Sequence, residues 1–179
     1  MTQTSSRVLY VITCAAPLAS HIHEFIVQAQ SANWDVCLIA TPQASRFIDI
    51  PTLTALTGHT VRTDYKMPGE ADPLPKAEAI VVVPATFNTL NKLAAGIGDT
   101  LAASILCECL GRGSPPIVAV PYLKPDLAHH PAFFKNLALL KEWGVHILYD
   151  PETYPSPDII SWKTILDMLE HLCNADASS

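Results

Sequence analysis

Charged side chains are scarce in this sequence. Asp, Glu, Lys and Arg make up 16% of its 179 residues, while hydrophobic residues make up 49%. Such a chain is too apolar to remain disordered and is long enough for one domain with a substantial core. No cluster of Lys and Arg is present, and the formal net charge is −6. Because nucleic acids and anionic membrane surfaces attract cations, neither is expected as a partner.

Long apolar runs and paired cysteines are also missing. No run approaches the roughly 20 apolar residues that span a bilayer. Residues 1–19 contain a single charge, Arg7, so we interpret their apolar run as a first strand and not as a signal peptide. The five cysteines are odd in number and form no CxxC pair, which favours free thiols, no metal site and a cytoplasmic location.

Common nucleotide and hydrolase motifs are absent too. The sequence contains no GxGxxG, no GxxxxGK[ST] and no GxSxG. His21 and His23 are two positions apart on a predicted helix and would point in different directions, which makes them a poor metal pair. Among the histidines, His59 is the candidate that we retain for catalysis.

The hydrophobic pattern alternates between strands and helices. Short β-branched runs predict buried strands at 7–13, 34–40, 79–83, 117–121 and 145–149. Helical spacing and capping signals predict helices at 18–32, 43–48, 88–110 with a break near 96–98, 126–143 and 158–173. A short strand within 58–65 is left open, and the proline-rich segments 66–76 and 150–157 are expected to be loops.

This order predicts an α/β fold with one doubly wound parallel sheet, Rossmann-like in architecture. We place a single domain at 7–173 and expect residues 1–6 and 174–179 to be disordered.

In such a sheet, ligands bind outside the carboxyl ends of the strands. Hydroxyl and amide side chains follow several predicted strands, at Thr41, Thr86, Asn88 and Thr89. Helix N-termini at the same edge attract anions, so this pattern favours a phosphorylated cofactor. The alternative interpretation is that Thr41 and Asn88 are helix caps and nothing more.

Two segments resemble motifs of a known family. Residues 84–101 read PATFNTLNKLAAGIGDTL, similar to the PASANTxxKxxxGxxDNL motif of the homo-oligomeric flavin-containing cysteine decarboxylases. Thr86, Phe87 and Thr100 depart from that motif. The segment that begins at Pro121 and continues to Pro131 is similar to the family's PxMNxxMWxxP motif. The family includes phosphopantothenoylcysteine decarboxylases and the peptidyl-cysteine decarboxylases of lanthipeptide biosynthesis.

The resemblance implies FMN bound between subunits of a homotrimer, which can assemble further to a dodecamer. A small-molecule or peptide thiol would be the substrate. The residues that this resemblance places near the cofactor are Cys14, Ala15, Thr41, Phe47, Ala85, Thr86, Phe87, Asn88, Thr89 and Tyr122. The family's first turn usually carries glycine at the position of Cys14, so a side chain there is expected to narrow the approach of the phosphate.

The resemblance also implies a reaction. The flavin oxidises a cysteine thiol to a thioaldehyde, and loss of CO2 then gives an enethiol. The family uses a histidine before the central motif and an asparagine after the next strand. Here the first stretch offers Glu70 and Asp72 as candidate bases, with His59 further upstream, and Lys124 takes the place of the asparagine.

Two other functions fit the same residues. The missing histidine and asparagine favour a non-catalytic FMN-binding scaffold or regulatory subunit. A flavin prenyltransferase of related fold is a further alternative, although the sequence shows no extra basic cluster for a second phosphate.

Overall fold

A computed structural model describes residues 6–71, 74–150 and 161–176 of the chain. The strands are β1 (Arg7–Thr13), β2 (Trp34–Ala40), β3 (Ala79–Ala85), β4 (Ile117–Pro121) and β5 (His146–Ile147). The α-helices are α1 (Ile22–Ser31), α2 (Ile50–Thr57), α3 (Phe87–Ala94), α4 (Leu101–Arg112), α5 (Pro125–Ala128), α6 (Pro131–Glu142) and α7 (Trp162–Asp176). None of the helices in these ranges is long and apolar enough to cross a bilayer.

The strands form one parallel sheet in the order β2-β1-β3-β4-β5. In the register, Leu9 of β1 lies opposite Val36 on one side and Ala79 on the other. The predicted α/β class and parallel sheet are therefore confirmed. From β1 the chain crosses to β2 on one side, and it then returns to β3 on the other side of β1. Because the connections leave β1 and β3 in opposite directions, a crevice opens between the carboxyl ends of these two neighbouring strands.

Alternation along the strands divides the core between the two faces of the sheet. Leu9 and Val11 point to the face covered by α1, α2 and α7, where they pack with Phe25 and Leu169. Ile12 points to the opposite face, which is covered by α3, α4 and α6. Both faces of the sheet are buried, which explains why the strands are continuous apolar runs with few polar interruptions.

Several helix boundaries differ from the predicted ones. Residues 43–48 contain only a 3-10 turn at Ala44–Arg46, and a helix that the sequence analysis missed follows at Ile50–Thr57. The Asp49 side chain accepts a hydrogen bond from the Thr52 N–H at 3.4 Å and so caps this helix. The segment 58–65 contributes one parallel bridge between Ile39 and Arg62 and no longer strand.

The later helices are shorter or longer than expected for local reasons. The predicted helix 88–110 is two helices, and the first of them ends just before Gly96, which has a φ of 68°. The predicted helix 126–143 is likewise divided, because Pro131 begins a new helix. The last helix runs to Asp176, past the predicted end at Cys173. The start predicted for it at residue 158 lies outside the described residues.

Candidate active site

Two segments that are far apart in the sequence meet at the carboxyl edge of the sheet. Strands β3 and β4 are neighbours, and Ala85 lies opposite Pro121 in their register. The backbone N–H of Tyr122 donates to the carbonyl of Ala85 at 2.9 Å. The segment that follows Pro84 and the segment that follows Pro121 therefore lie side by side.

A cleft of about 470 Å³ opens where these segments meet the turn after β1. Its walls are the turn after β1, the first residues of α3 and the segment that leads from β4 into α5. The residues that line it are Ala15, Ala16, Pro17, Thr86, Phe87, Asn88, Tyr122, Leu123, Lys124, Pro125 and Leu127. Cofactor and substrate sites in proteins commonly have volumes of roughly 300–1,000 Å³, so this cleft has the size of a binding site.

The N-terminus of α3 opens into this cleft. Thr86 is the N-cap residue, with extended backbone angles of φ −81° and ψ 160°, but its side chain makes no capping hydrogen bond. Its hydroxyl lies instead 3.1 Å from the hydroxyl of Thr89. The first amides of the helix are thus left without a side-chain cap on the cleft side, in an arrangement suited to an anionic group.

Cys14 lies behind the cleft wall. This residue is 1% exposed. Its N–H donates to the Pro84 carbonyl at 3.2 Å, and its Sγ lies 3.3 Å from the Thr89 hydroxyl. Burial raises the pKa of the Cys14 thiol, although hydrogen bonds from Thr89 and Thr86 act in the opposite direction. The side chain expected to narrow the approach to the turn therefore points into the core and is not part of the cleft lining.

Aromatic rings supply part of the cleft surface. Phe87 makes an edge-on contact with His130, with ring centroids 5.4 Å apart, and packs on the buried Phe133 at 6.4 Å. Tyr122, which is partly buried, stands on the β4 side of the cleft. A planar ligand entering this space would meet apolar ring surface as well as polar groups.

The other predicted cofactor residues do not line the cleft. Thr41 follows β2, and its N–H donates to the Thr13 carbonyl at 3.0 Å. Phe47 is 40% exposed in the turn beyond Thr41, and Ala85 is fully buried at the end of β3. Thr89 lies one turn inside α3. The structure therefore brings Ala15, Thr86, Phe87, Asn88 and Tyr122 together in one cleft, and the remaining five are not part of its lining.

The structure describes three of the four candidate catalytic residues, and these three are separated. Lys124 lines the cleft. His59 does not: its Nε2 lies 2.7 Å from Oδ1 of Asp35, at the amino end of β2 and thus at the opposite edge of the sheet. Glu70 is exposed in the loop, where its carboxylate accepts from the Met67 N–H at 3.0 Å. Asp72 lies outside the described residues.

The sequence analysis missed several apolar members of the cleft lining. Pro17 begins a 3-10 turn directly after β1, and Leu127 lies in α5. A proline just after a strand end marks such a turn and could have pointed to Pro17. Leu127 takes the place of the second methionine in the PxMNxxMWxxP motif that begins at Pro121, and that alignment points to a place in the substrate pocket. Among the described ranges, no group of three or more His, Cys, Asp or Glu side chains could hold a metal ion.

Comparison with known proteins agrees with this architecture. The chain belongs to the Flavoprotein family, whose sequence profile matches residues 2–174. It is 30% identical, over 129 residues, to the coenzyme A biosynthesis bifunctional protein CoaBC of Bacillus subtilis. That match covers 69% of this chain and 31% of the relative, so the chain spans about a third of the length of the curated relatives it matches.

Solved structures show the same fold. MrsD from a Bacillus species superposes with a TM-score of 0.78 at 17% identity, over 97% of this chain and 99% of that one. The peptidyl-cysteine decarboxylase EpiD superposes with a TM-score of 0.71 at 25% identity, over 91% of this chain and 98% of the other. The Rossmann-like flavoprotein architecture expected from the sequence is confirmed by these matches.

Proposed function

We propose that this chain binds FMN and oxidatively decarboxylates a cysteine, either at the C-terminus of a peptide or in a small molecule. One observation carries the proposal. The two segments that resemble decarboxylase motifs are hydrogen-bonded to each other, from the Tyr122 N–H to the Ala85 carbonyl, and form opposite walls of one cleft. The structural likeness to a peptidyl-cysteine decarboxylase supports the same chemistry.

The residues at the cleft fit a phosphorylated flavin. The α3 N-terminus has no side-chain cap, and Thr86 and Asn88 offer hydroxyl and amide groups beside it. Ala15 and Ala16 leave the turn after β1 open to close approach of a ligand, while Phe87 and Tyr122 offer aromatic surface. The α3 N-terminus would hold the phosphate of FMN, and Thr86 and Asn88 would bind its polar groups. Phe87 and Tyr122 would contact its planar ring system. When bound, FMN supplies the two-electron oxidation that prepares cysteine for the loss of CO2.

Lys124 would bind the substrate carboxylate. Its exposed side chain lines the cleft, and no acidic side chain in the described ranges forms an ion pair with it. An ammonium is a compact cation that holds a carboxylate more strongly than an amide does. The same attraction stabilises the anion before CO2 leaves, so we expect tighter substrate binding at the expense of a slower release of CO2.

The base that accepts the thiol proton would be a residue other than those described as lining the cleft. Neither a histidine nor a carboxylate is among the described residues that line the cleft. Glu70 and Asp72 remain our candidates, because a carboxylate can act as a general base. We further propose that the chain works as a homo-oligomer, a trimer or dodecamer, in the cytoplasm.

The first experiment is an absorption spectrum of the purified protein, with mass identification of any compound released on denaturation. We expect a yellow protein that releases FMN. Anaerobic addition of a cysteine-terminated peptide or of pantothenoylcysteine should then bleach the flavin, and the product should have lost CO2 and two hydrogens. A flavin-loaded protein that none of these thiols reduces would overturn the proposed reaction.

Lys124→Asn tests the assigned carboxylate contact. Asparagine can still donate a hydrogen bond to the carboxylate but carries no charge. The loss of the charge weakens the bond by about 1–1.5 kcal/mol, so KM for the thiol should rise by roughly five- to tenfold. Flavin content should not change, because the cofactor contacts proposed above lie on other residues. Lys135→Asn, on the exposed surface of α6, is the matched control and should leave both quantities unchanged.

A second function is favoured by a specific observation. His59 and Glu70 are absent from the cleft lining, so the described residues do not supply a base there. A non-catalytic FMN-binding protein would show the same yellow colour but no bleaching by thiols. The anaerobic titration therefore separates the two functions.

A further inference from the structure

A second cavity, of about 600 Å³, opens beside the candidate active site. It shares Pro17 and Tyr122 with the cleft described above, so the two spaces meet at a common wall. Its other walls come from α1 and from the first residues of α7. We call it the side cavity, and its polar lining residues are Ser20, His21, Glu24, Gln28, Ser161 and Lys163.

Glu24 lies between two hydrogen-bond donors in this cavity. The Trp162 Nε1–H donates to its Oε2 at 3.1 Å, and the Nδ1–H of His21 donates to its Oε1 at 3.2 Å. The Trp162 ring in turn packs on the buried Phe25, with centroids 5.6 Å apart. The carboxylate and the indole are thus held next to each other, one from α1 and one from α7.

Among the described residues that line the cavity, Glu24 is the only carboxylate and Lys163 the only ammonium. The hydrogen bond from Trp162, followed by that from His21, lowers the pKa of Glu24 and keeps its carboxylate ionised. The Glu24 side chain is still 48% exposed, so it can accept further hydrogen bonds. The ammonium of Lys163 is engaged by Asp167 at 2.6 Å, on the next turn of α7. Since Lys163 is already paired with Asp167, Glu24 is the charged side chain of the cavity that an entering cation would contact.

We propose that the side cavity binds the residue that precedes the cysteine of a peptide substrate, and that it prefers a cationic side chain there. This inference rests on the function proposed above and narrows its substrate to peptides. A cysteine held in the cleft has its preceding residue directed out of it, and the side cavity adjoins the cleft at Tyr122. A Lys or Arg side chain would pair with the Glu24 carboxylate and lie against the Trp162 ring.

The test measures binding apart from chemistry. Peptides of equal length ending in Lys-Ser, Gln-Ser or Glu-Ser are titrated calorimetrically into the full chain supplemented with FMN. Serine replaces cysteine, so no thiol can reduce the flavin. We expect the Lys peptide to bind most tightly and the Glu peptide least tightly. Glu24→Gln should weaken the Lys peptide by roughly three- to fivefold, the effect of an ion pair at a partly exposed carboxylate, and abolish the preference.

Two further variants guard against a loss of structure. Glu170→Gln changes an exposed glutamate on α7 that does not line the cavity, and it should leave the preference intact. Trp162→Phe keeps a ring and removes the indole N–H, so it should reduce the preference less than Glu24→Gln does. Equal binding of the three peptides by the wild type, or no binding at all, would overturn the inference.

The corresponding cysteine peptides separate this inference from the proposed function. If the serine peptides bind in the order given but the cysteine peptides fail to bleach the flavin, the inference about the side cavity is supported and the proposed reaction is wrong. The opposite result is that every cysteine-terminated peptide binds with the same affinity and bleaches the flavin at the same rate, whichever residue precedes the cysteine. In that case the proposed reaction is supported and the inference about the side cavity is wrong.

Discussion

The Sγ of Cys14 lies 3.3 Å from the hydroxyl of Thr89, and that hydroxyl lies 3.1 Å from the hydroxyl of Thr86. These three side chains connect the end of β1 with the cleft wall at the start of α3. Cys14 is buried and Thr86 lines the cleft, so a change in the core can alter the orientation of a group that would face a ligand.

Variants of Cys14 test whether this connection supports flavin binding. Cys14→Ala removes one hydrogen bond of about 0.5–1.5 kcal/mol, which limits its indirect effect on binding, so we expect FMN affinity to fall by up to about tenfold. Cys14→Ser keeps a hydrogen-bonding atom and should lie closer to the wild type. Fluorescence titration of the flavin-free protein with FMN measures both. Tighter binding by Cys14→Gly than by the wild type would show instead that the thiol obstructs the site.

The hydroxyl of Thr13, the residue before Cys14, is predicted to lower the free energy of unfolding. It is fully buried, and its hydroxyl has no hydrogen-bond partner among the described residues. Replacing an unsatisfied buried hydroxyl by a methyl of similar shape removes a desolvation cost, so Thr13→Val should raise the free energy of unfolding by about 1 kcal/mol. Urea unfolding provides the measurement.

Thr57→Val is the matched control for this change. Thr57 is also buried, but its hydroxyl donates to the Leu53 carbonyl at 2.9 Å. It also accepts from the His59 N–H at 3.2 Å. Loss of these bonds should lower the free energy of unfolding by about 1 kcal/mol, opposite in sign to the effect at Thr13. A destabilised Thr13→Val would mean that the Thr13 hydroxyl does have a partner in solution.

The sequence predicted the strands more closely than the helices. β1, β2 and β4 have the predicted bounds. Each is buried on both faces of the sheet, so its sequence is a short continuous apolar run, which is typical of a strand in a parallel sheet. The helix at Ile50–Thr57 was missed because its capping residue, Asp49, is followed by threonines and a proline that also suit a turn. Local signals of this kind do not distinguish a short helix from a loop.

The candidate site was predictable as an edge of the sheet but not residue by residue. Parallel strands bring their carboxyl ends to the same edge, which is why Thr86 and Tyr122 were expected near each other. The sequence does not show which way a strand-end side chain turns, so Cys14 was expected in the site and lies behind it. Nor does it show that the chain after α2 carries His59 to the opposite edge.

The position of His59 leads to a prediction that separates structure from catalysis. Its Nε2 is 2.7 Å from Asp35, and both side chains are partly buried. His59→Gln should lower the free energy of unfolding by up to about 1 kcal/mol, the range of a partly exposed polar pair. The rate at which thiols reduce the flavin should not change. A tenfold slower reduction by a well-folded variant would show that His59 reaches an active site in the assembled protein.

Cys37, in the middle of β2, should make stability depend on alkaline pH. Burial, followed by the nearby charge of Asp35, raises the pKa of its thiol to about 12, from an ordinary value near 9. Since the folded state holds the proton more tightly than the unfolded state, this contribution is fully present below about pH 9 and declines as the pH rises toward 12. The free energy of unfolding should therefore fall more steeply with pH in the wild type than in Cys37→Ala.

Chemical denaturation between about pH 8 and about pH 11 measures these two slopes. Cys37→Ala will also lose packing in a full core, but that loss is the same at every pH and leaves the slope to report the proton. Cys107→Ala is the control, because that thiol is only partly buried whereas Cys37 is fully buried. Its slope should stay near that of the wild type. Equal slopes for the wild type and Cys37→Ala would mean that the thiol ionises within the folded sheet as readily as in the unfolded chain.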